Sequence, residues 1–100
     1  MSRYSVYVLP AAWKQISDLP GNVRERVRRA VDELGSNPRP ARSRRLHAPG
    51  FEPELYRLRL DRWRIVYAVS DQERTIDILA VRKRPPYDYG DLEALIAEMR

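Results

Sequence analysis

Residues 54–67 read ELYRLRLDRWRIVY, in which Arg57, Arg59, Arg62 and Arg64 stand among large apolar residues. A guanidinium is planar, stays charged at any accessible pH, and presents donors in a fork that fits phosphate oxygens. Burying such a charge without a partner is costly. Arginines set into a hairpin must therefore face carboxylates or an incoming anion. Further on, VRKRPPYDY delivers Lys83, Arg84, Tyr87 and Tyr89 to the end of the same region. A tyrosine beside arginines can stack on a base, hydrogen-bond a phosphate, or transfer a proton if its pKa is lowered. It can equally serve only to pack a helix on a sheet. The chemistry open to this set is phosphate binding and the stabilisation of charge that develops on phosphate.

Other chemistries find little support. His47 is the sole histidine and lies in a Pro/Gly-rich loop, where a surface role is expected. No Glu–His pair stands out, and a serine triad would have to be built around His47. The chain has no cysteine, which excludes disulfides and thiolate metal sites. Asp71, Glu73 and Asp77 lack metal-ligand spacing, so no metal or other cofactor is expected. Nineteen basic residues against fourteen acidic ones give a formal charge of +5, and Lys14 and Lys83 are the only lysines. Such a balance fits a polyanionic partner, nucleic acid or acidic protein, or an arginine-rich surface that is merely solvated. No apolar run approaches the roughly 20 residues of a membrane span. The opening MSRYSVYVLP is too short and alternating for a signal peptide, so a cytoplasmic location without membrane attachment is expected.

These residues need a scaffold, and 100 residues with 43% apolar content suffice for a single domain over residues 1–100. Tyr4–Leu9 predicts a strand and AAWKQISDL a helix with Pro10 in its first turn. Asn22 predicts the cap of a second helix, with Glu25 in the capping-box position. Val23, Val27, Ala30, Val31 and Leu34 form its apolar stripe. Residues 36–53 predict a basic, proline-punctuated connection anchored by Leu46. Three strands follow, near Glu54–Leu60, Arg62–Ser70 and Thr75–Arg82, antiparallel because their turns are short. Leu92, Leu95, Ile96 and Met99 mark a last short helix, with Asp88 or Asp91 as its cap. The order β-α-α-β-β-β plus a short helix predicts an α+β domain with an antiparallel-rich sheet of about four strands.

Side chains alternate along a strand. Tyr56, Leu58 and Leu60 should face the helices, while Arg57 and Arg59 face away. Arg64 joins them from the neighbouring strand. Three adjacent guanidiniums repel one another unless an anion is expected. The competing expectation pairs them with Glu52, Glu54, Asp61 or Asp77.

The run LYRLRLDRWRIVYAV, followed by AVRKR and late tyrosines, resembles the RelE branch of the RelE/ParE toxins of type II toxin–antitoxin systems. LPAAWKQISDLP and VRERVRRAVDELGSNPRP match that family's two helices and the break after them. The resemblance implies a sheet with two N-terminal helices on one face, like small microbial ribonucleases. It implies an endoribonuclease, an mRNA interferase, that cuts mRNA on the ribosome and thereby inhibits translation. Arg57, Arg59, Arg64 and Arg84 would match the family's catalytic basic residues, and Tyr87 or Tyr89 its late tyrosine. Arg44, Arg45, Arg62 and Lys83 would add RNA binding around them. The implied partners are a cognate antitoxin, in a hetero-oligomer with the toxin, and the ribosome with its message. Positions 57 and 59 depart from the lysines often found there, and Arg cannot readily serve as a base. A gyrase-inhibiting toxin of the ParE branch and a non-catalytic binding module on the same fold are the alternatives.

Overall fold

The computed structural model describes residues 3–51 and 53–99. Its elements are β1 (Ser5–Val8), α1 (Pro10–Ser17), α2 (Gly21–Leu34), β2 (Ser43–Leu46), β3 (Glu54–Leu60), β4 (Trp63–Ser70), β5 (Thr75–Lys83) and α3 (Leu92–Ala97). The strands form one sheet in the order β1-β5-β4-β3-β2. β1 pairs with β5 in parallel, and every other pair is antiparallel. The sheet has five strands rather than about four. The extra one, β2, comes from the connection at 36–53, which pairs its Ser43–Leu46 segment with Leu55–Leu58.

Local chemistry sets the helices. Pro10 occupies the first turn of α1, where its missing N–H costs nothing. The expected Asn22 cap is not formed. α2 starts at Gly21 with Pro20 in the N-cap position and no side-chain cap. The extended backbone of a proline supplies the entry angle two residues earlier than the capping-box pattern predicted. Gly35, just after α2, is held against the Arg3 guanidinium, and a Cβ there would stand 2.9 Å from the Arg3 Cζ. Arg3 itself donates to Asp32 and Ser36, tying the entry of β1 to the end of α2.

Each face of the sheet carries its own apolar layer. α1 and α2 bury Ala12, Ile16, Val27, Val31 and Leu34 against Tyr56, Leu58, Ile65, Tyr67, Ile76 and Ile78. On the other face Leu55, Val66, Ala68, Leu79 and Ala80 receive Leu95 of α3, with Leu92, Ile96 and Met99 around it. Full burial of each aliphatic side chain stabilises by roughly 1.5–3 kcal/mol. The first layer is the larger, so it is the foundation, and α3 covers only part of the second.

A turn and a bulge align the strands. Asp61 and Arg62 alone separate Leu60 from its partner Trp63, with Asp61 at φ +55°, a left-handed conformation that Asp tolerates. Between Val66 and Tyr67 the register with β5 shifts, because Leu79 is an extra residue between Ile78 and Ala80. That bulge sends Leu79 and Ala80 to the α3 face and returns Val81 to the helix face. Beyond the end of β1, Gln15 of α1 accepts the Val81 amide at 2.8 Å.

Candidate nucleic-acid interface

The register fixes what shares the face away from α1 and α2. Arg44 on β2 stands opposite Arg57 on β3. Arg59 stands opposite Arg64, and Arg64 opposite Arg82. One row of arginines thus crosses β3, β4 and β5, with a second pair beside it on β2 and β3. Arg42, Arg44, Arg57 and Arg59 line a cavity of about 440 Å³ together with Ala41 and Asp61. A second hollow of about 560 Å³ is bordered by Arg82, Lys83, Pro86, Tyr87, Asp88, Gly90 and Asp91. Arg64 occupies the register position between them.

Among the described residues, no carboxylate lies within 4.0 Å of the Arg57, Arg59 or Arg64 guanidiniums. The salt-bridge partners expected from the sequence are engaged elsewhere. Glu54 binds Arg39 at 2.8 Å and Arg45 at 3.8 Å, and Asp61 binds Arg26 at 2.6 Å. The Arg26 guanidinium, helped by Arg42 and Arg59, holds the Asp61 carboxyl below its ordinary pKa. Asp77 forms no ion pair among the described residues, and Glu52 lies outside them. Arg64 instead donates to the Asp61 and Trp63 carbonyls at 2.8 and 2.9 Å, which fixes the side chain at the turn while leaving its charge uncompensated.

The remaining residues singled out from the sequence divide between the two faces. Arg45 lies opposite Tyr56 and its guanidinium sits over that ring at 5.9 Å, so it belongs to the helix face rather than to the arginine row. Arg62 occupies the β3–β4 turn, where its carbonyl accepts the Arg84 amide at 2.7 Å. Arg84 lies past the end of β5, donates to the Tyr87 carbonyl and stacks over Tyr89 at 5.3 Å. His47 is exposed on the loop after β2. Tyr87 and Tyr89 pack edge to face with ring centroids 4.8 Å apart. The Tyr87 hydroxyl donates to Asp91 Oδ1 at 2.6 Å, while Arg82 donates to Asp91 Oδ2 at 3.0 Å. Burial first, and then Asp91, push the Tyr87 hydroxyl well above the ordinary tyrosine range. Asp91 precedes α3 at its N-cap position, but its carboxylate is committed to Arg82 and Tyr87 rather than to the helix amides.

Arg82 is the member of the row that reading by strict alternation misses. Counting in twos from Ile76 and Ile78 would put residue 82 on the helix face, and the bulge at Leu79 moves it to the other. Arg42 was hidden in the basic connection, although its carbonyl accepts the Arg59 amide at 3.3 Å. No group of three or more His, Asp or Glu side chains is arranged to hold a metal ion among the described residues. No helix among them is long and apolar enough to cross a membrane.

Comparison with known proteins agrees with this geometry. Residues 6–85 match the family model of the ParE toxin of the type II toxin–antitoxin system parDE. The archaeal RelE–RelB complex from Pyrococcus horikoshii OT3 contains a chain 28% identical to this one. It superposes with a TM-score of 0.75, covering 87% of this chain and 100% of that one. The Escherichia coli RelBE toxin–antitoxin complex contains a chain 26% identical, with a TM-score of 0.64, over 80% of this chain and 95% of that one. The RelBE2 complex of Mycobacterium tuberculosis shares the fold at 22% identity and a TM-score of 0.69, over 82% and 99%. No curated protein sequence matches the chain. The family match spans most of the chain and the sheet and helices superpose on RelE, so the protein belongs to the RelE/ParE family and is a toxin of a type II toxin–antitoxin system.

Proposed function

We propose that this toxin is an endoribonuclease that cuts mRNA on the ribosome, with the arginine face as its RNA site. The observation that carries the reading is an uncompensated cluster: Arg57, Arg59 and Arg64 share a face and lack carboxylate partners among the described residues. In the reaction the ribose 2′-oxygen attacks the adjacent phosphorus and the bond to the 5′-oxygen breaks. A cyclic phosphate and a free 5′-hydroxyl result. Negative charge gathers on the phosphate oxygens in the transition state, where fixed guanidiniums stabilise it. On this reading Arg57, Arg59 and Arg64 take that role, with Arg84 at the margin and Arg44 and Lys83 holding flanking phosphates. Arg62, in the turn, and Arg45, across the sheet, are more distant contributors. Tyr87, which keeps its proton, suits donation to the leaving oxygen or stacking on a base. Tyr89 supports it by packing edge to face against its ring. The 2′-proton needs an acceptor other than these arginines, since a guanidinium cannot take it. The partners on this reading are the ribosome and its mRNA, and a cognate antitoxin that covers the basic face, as RelB accompanies RelE in the archaeal and E. coli complexes.

The matched family model is named for ParE, which favours a second reading: inhibition of DNA gyrase on the same fold. Induction of the wild type and Arg64→Ala in cells, with mapping of mRNA 5′ ends, separates the two. Cuts within translated frames that fall by about two to three orders of magnitude in the variant are expected, the usual cost of one such donor. Growth arrest with intact messages would transfer the reading to gyrase. No arrest would leave a binding module.

A further inference from the structure

We propose that Asp61 and Arg42 select the base of the RNA held on this face, and that the base they select is guanine. The inference rests on the RNA-site reading and deepens it from phosphate binding to base recognition. The cavity of about 440 Å³ is bordered by Arg42, Arg44, Arg57 and Arg59 and by one carboxylate, Asp61. Its volume lies within the roughly 300–1,000 Å³ of sites that take small ligands. The four guanidiniums offer donors alone, and Asp61 is the single acceptor side chain among the lining residues. A carboxylate repels phosphate, so the part of an RNA that meets it must present N–H groups.

Asp61 is held in place for such a contact. It lies in the β3–β4 turn at φ +55°, and its carbonyl accepts Arg64 Nη1 at 2.8 Å. Arg26 of α2 donates to Oδ2 at 2.6 Å, and Oδ1 accepts no hydrogen bond among the described residues. Arg26, more than Arg42 and Arg59, lowers the pKa of the carboxyl, so it stays ionised and only accepts. Each carboxylate oxygen has two lone pairs, which leaves Oδ2 room for a second donor. The Watson–Crick edge of guanine carries two adjacent donors, N1–H and the N2 amine. Adenine and cytosine each set one amine beside an acceptor nitrogen, and uracil flanks N3–H with two carbonyl oxygens. The carboxylate repels those acceptors. Arg42 supplies the other half of the match. Its carbonyl accepts the Arg59 amide at 3.3 Å, which fixes its backbone beside β3. No carboxylate lies within 4.0 Å of its guanidinium among the described residues, and the phosphate contacts proposed above do not claim it. An arginine fork pairs with guanine O6 and N7, and bases of single-stranded RNA are read on both of these edges.

The test is binding of short labelled strands to the full chain by fluorescence anisotropy. The strands are 2′-O-methylated, so that no 2′-hydroxyl is free to attack, and differ only in the central base of a uridine run. The guanine strand is expected to bind roughly 5-fold tighter than those with adenine, cytosine or uracil, the lower end of what a bidentate contact discriminates. An inosine strand, which lacks the N2 amine, should fall between. Asp61→Asn keeps the size of the side chain and tolerates the left-handed turn. It should abolish the guanine advantage while affinity for the other strands holds or rises, since a negative charge has gone. Arg42→Gln should shrink the advantage and erase any difference between guanine and 7-deazaguanine. A wild type that prefers another base, or a guanine preference that survives Asp61→Asn, would overturn the proposal. Uniform weakening of every strand by Asp61→Asn would overturn it too, since that marks a residue that only shapes the turn. Arg57→Ala separates the two levels of the argument. If it weakens every strand while the wild type shows no base preference, the RNA site stands and base selection falls. If Arg57→Ala leaves binding unchanged, both fall. Circular dichroism melts of each variant confirm that the comparison is between folded proteins.

Discussion

Tyr87 lies under the Arg82 guanidinium, 5.3 Å from it, and donates to Asp91, and these neighbours pull its acidity in opposite directions. Burial and Asp91 prevail over Arg82, so the phenol is harder to ionise than a free tyrosine. Such a group cannot act as a base near neutral pH, but it can donate. Tyr87→Phe is therefore expected to lower mRNA cleavage by about two to four orders of magnitude, the range for a lost general acid, while RNA affinity changes little. Equal loss of binding and cleavage would assign it to stacking instead. Asp77 shows the reverse problem for a carboxylate. It is half-buried on β5, and burial first, then Glu73, raise its pKa. The folded protein then holds this proton more tightly than the unfolded chain. Its favourable contribution is complete below the ordinary carboxylate pKa of about 4 and is lost as pH rises through the raised value. At neutral pH the charged side chain is a net cost. Asp77→Asn should raise Tm at pH 7 and leave it nearly unchanged at acid pH, which a pair of thermal melts would show. A lower Tm at both would mean that Asp77 has a structural partner.

Among the elements, α3 is the least secured. Its anchor is Leu95, buried against the sheet, with the Arg82–Asp91 pair at its start. Truncating a buried leucine to alanine costs about 2–5 kcal/mol. A six-residue helix has no such reserve of its own. Leu95→Ala is expected to expose the amides of residues 92–99 to rapid hydrogen exchange while β3, β4 and β5 keep their protection. Uniform loss across the sheet would show that α3 belongs to the main cooperative unit. α3 was legible in the sequence because Leu92, Leu95, Ile96 and Met99 repeat at helical spacing. So were β3 and β4, where the alternation of Tyr56, Leu58 and Leu60 with Arg57 and Arg59 is unbroken. β2 was not, since SRRL is a four-residue edge strand with no alternation, created by pairing rather than by local preference. The bulge at Leu79 was hidden too. TIDILAV is apolar at nearly every position, and nothing in it says where the face changes. Missing the bulge is what removed Arg82 from the sequence-derived site.

The whole sheet is electrically sided. Along β3 the charge passes from Glu54 to Arg59, along β4 from Arg64 to Asp71 in the turn beyond it, and along β5 from Asp77 to Arg82. Antiparallel pairing then gathers the basic ends of all three strands and, at the opposite end, the carboxylates of Glu54, Asp71, Glu73 and Asp77 around one hollow. The acidic end is internally neutralised in part. Arg39 reaches both Glu54 and Asp71 at 2.8 Å, and Tyr56 with Arg39 holds Glu54 below its ordinary pKa. At the basic end Arg57, Arg59 and Arg64 have no such partner among the described residues, so a net charge of +5 understates the field that an approaching polyanion meets there. Position should then matter more than total charge. Arg57, on the arginine face beside the row, and Arg28, exposed on α2, differ in place but not in charge. Arg57→Ala is expected to weaken binding of a single-stranded RNA and to make its salt slope shallower by about 0.7, one phosphate contact. Arg28→Ala should leave the slope unchanged. Salt titrations of the two variants with the same RNA decide the matter. Equal changes would mean that the protein attracts nucleic acid through diffuse positive charge, and the arginine row would lose its claim to be a site.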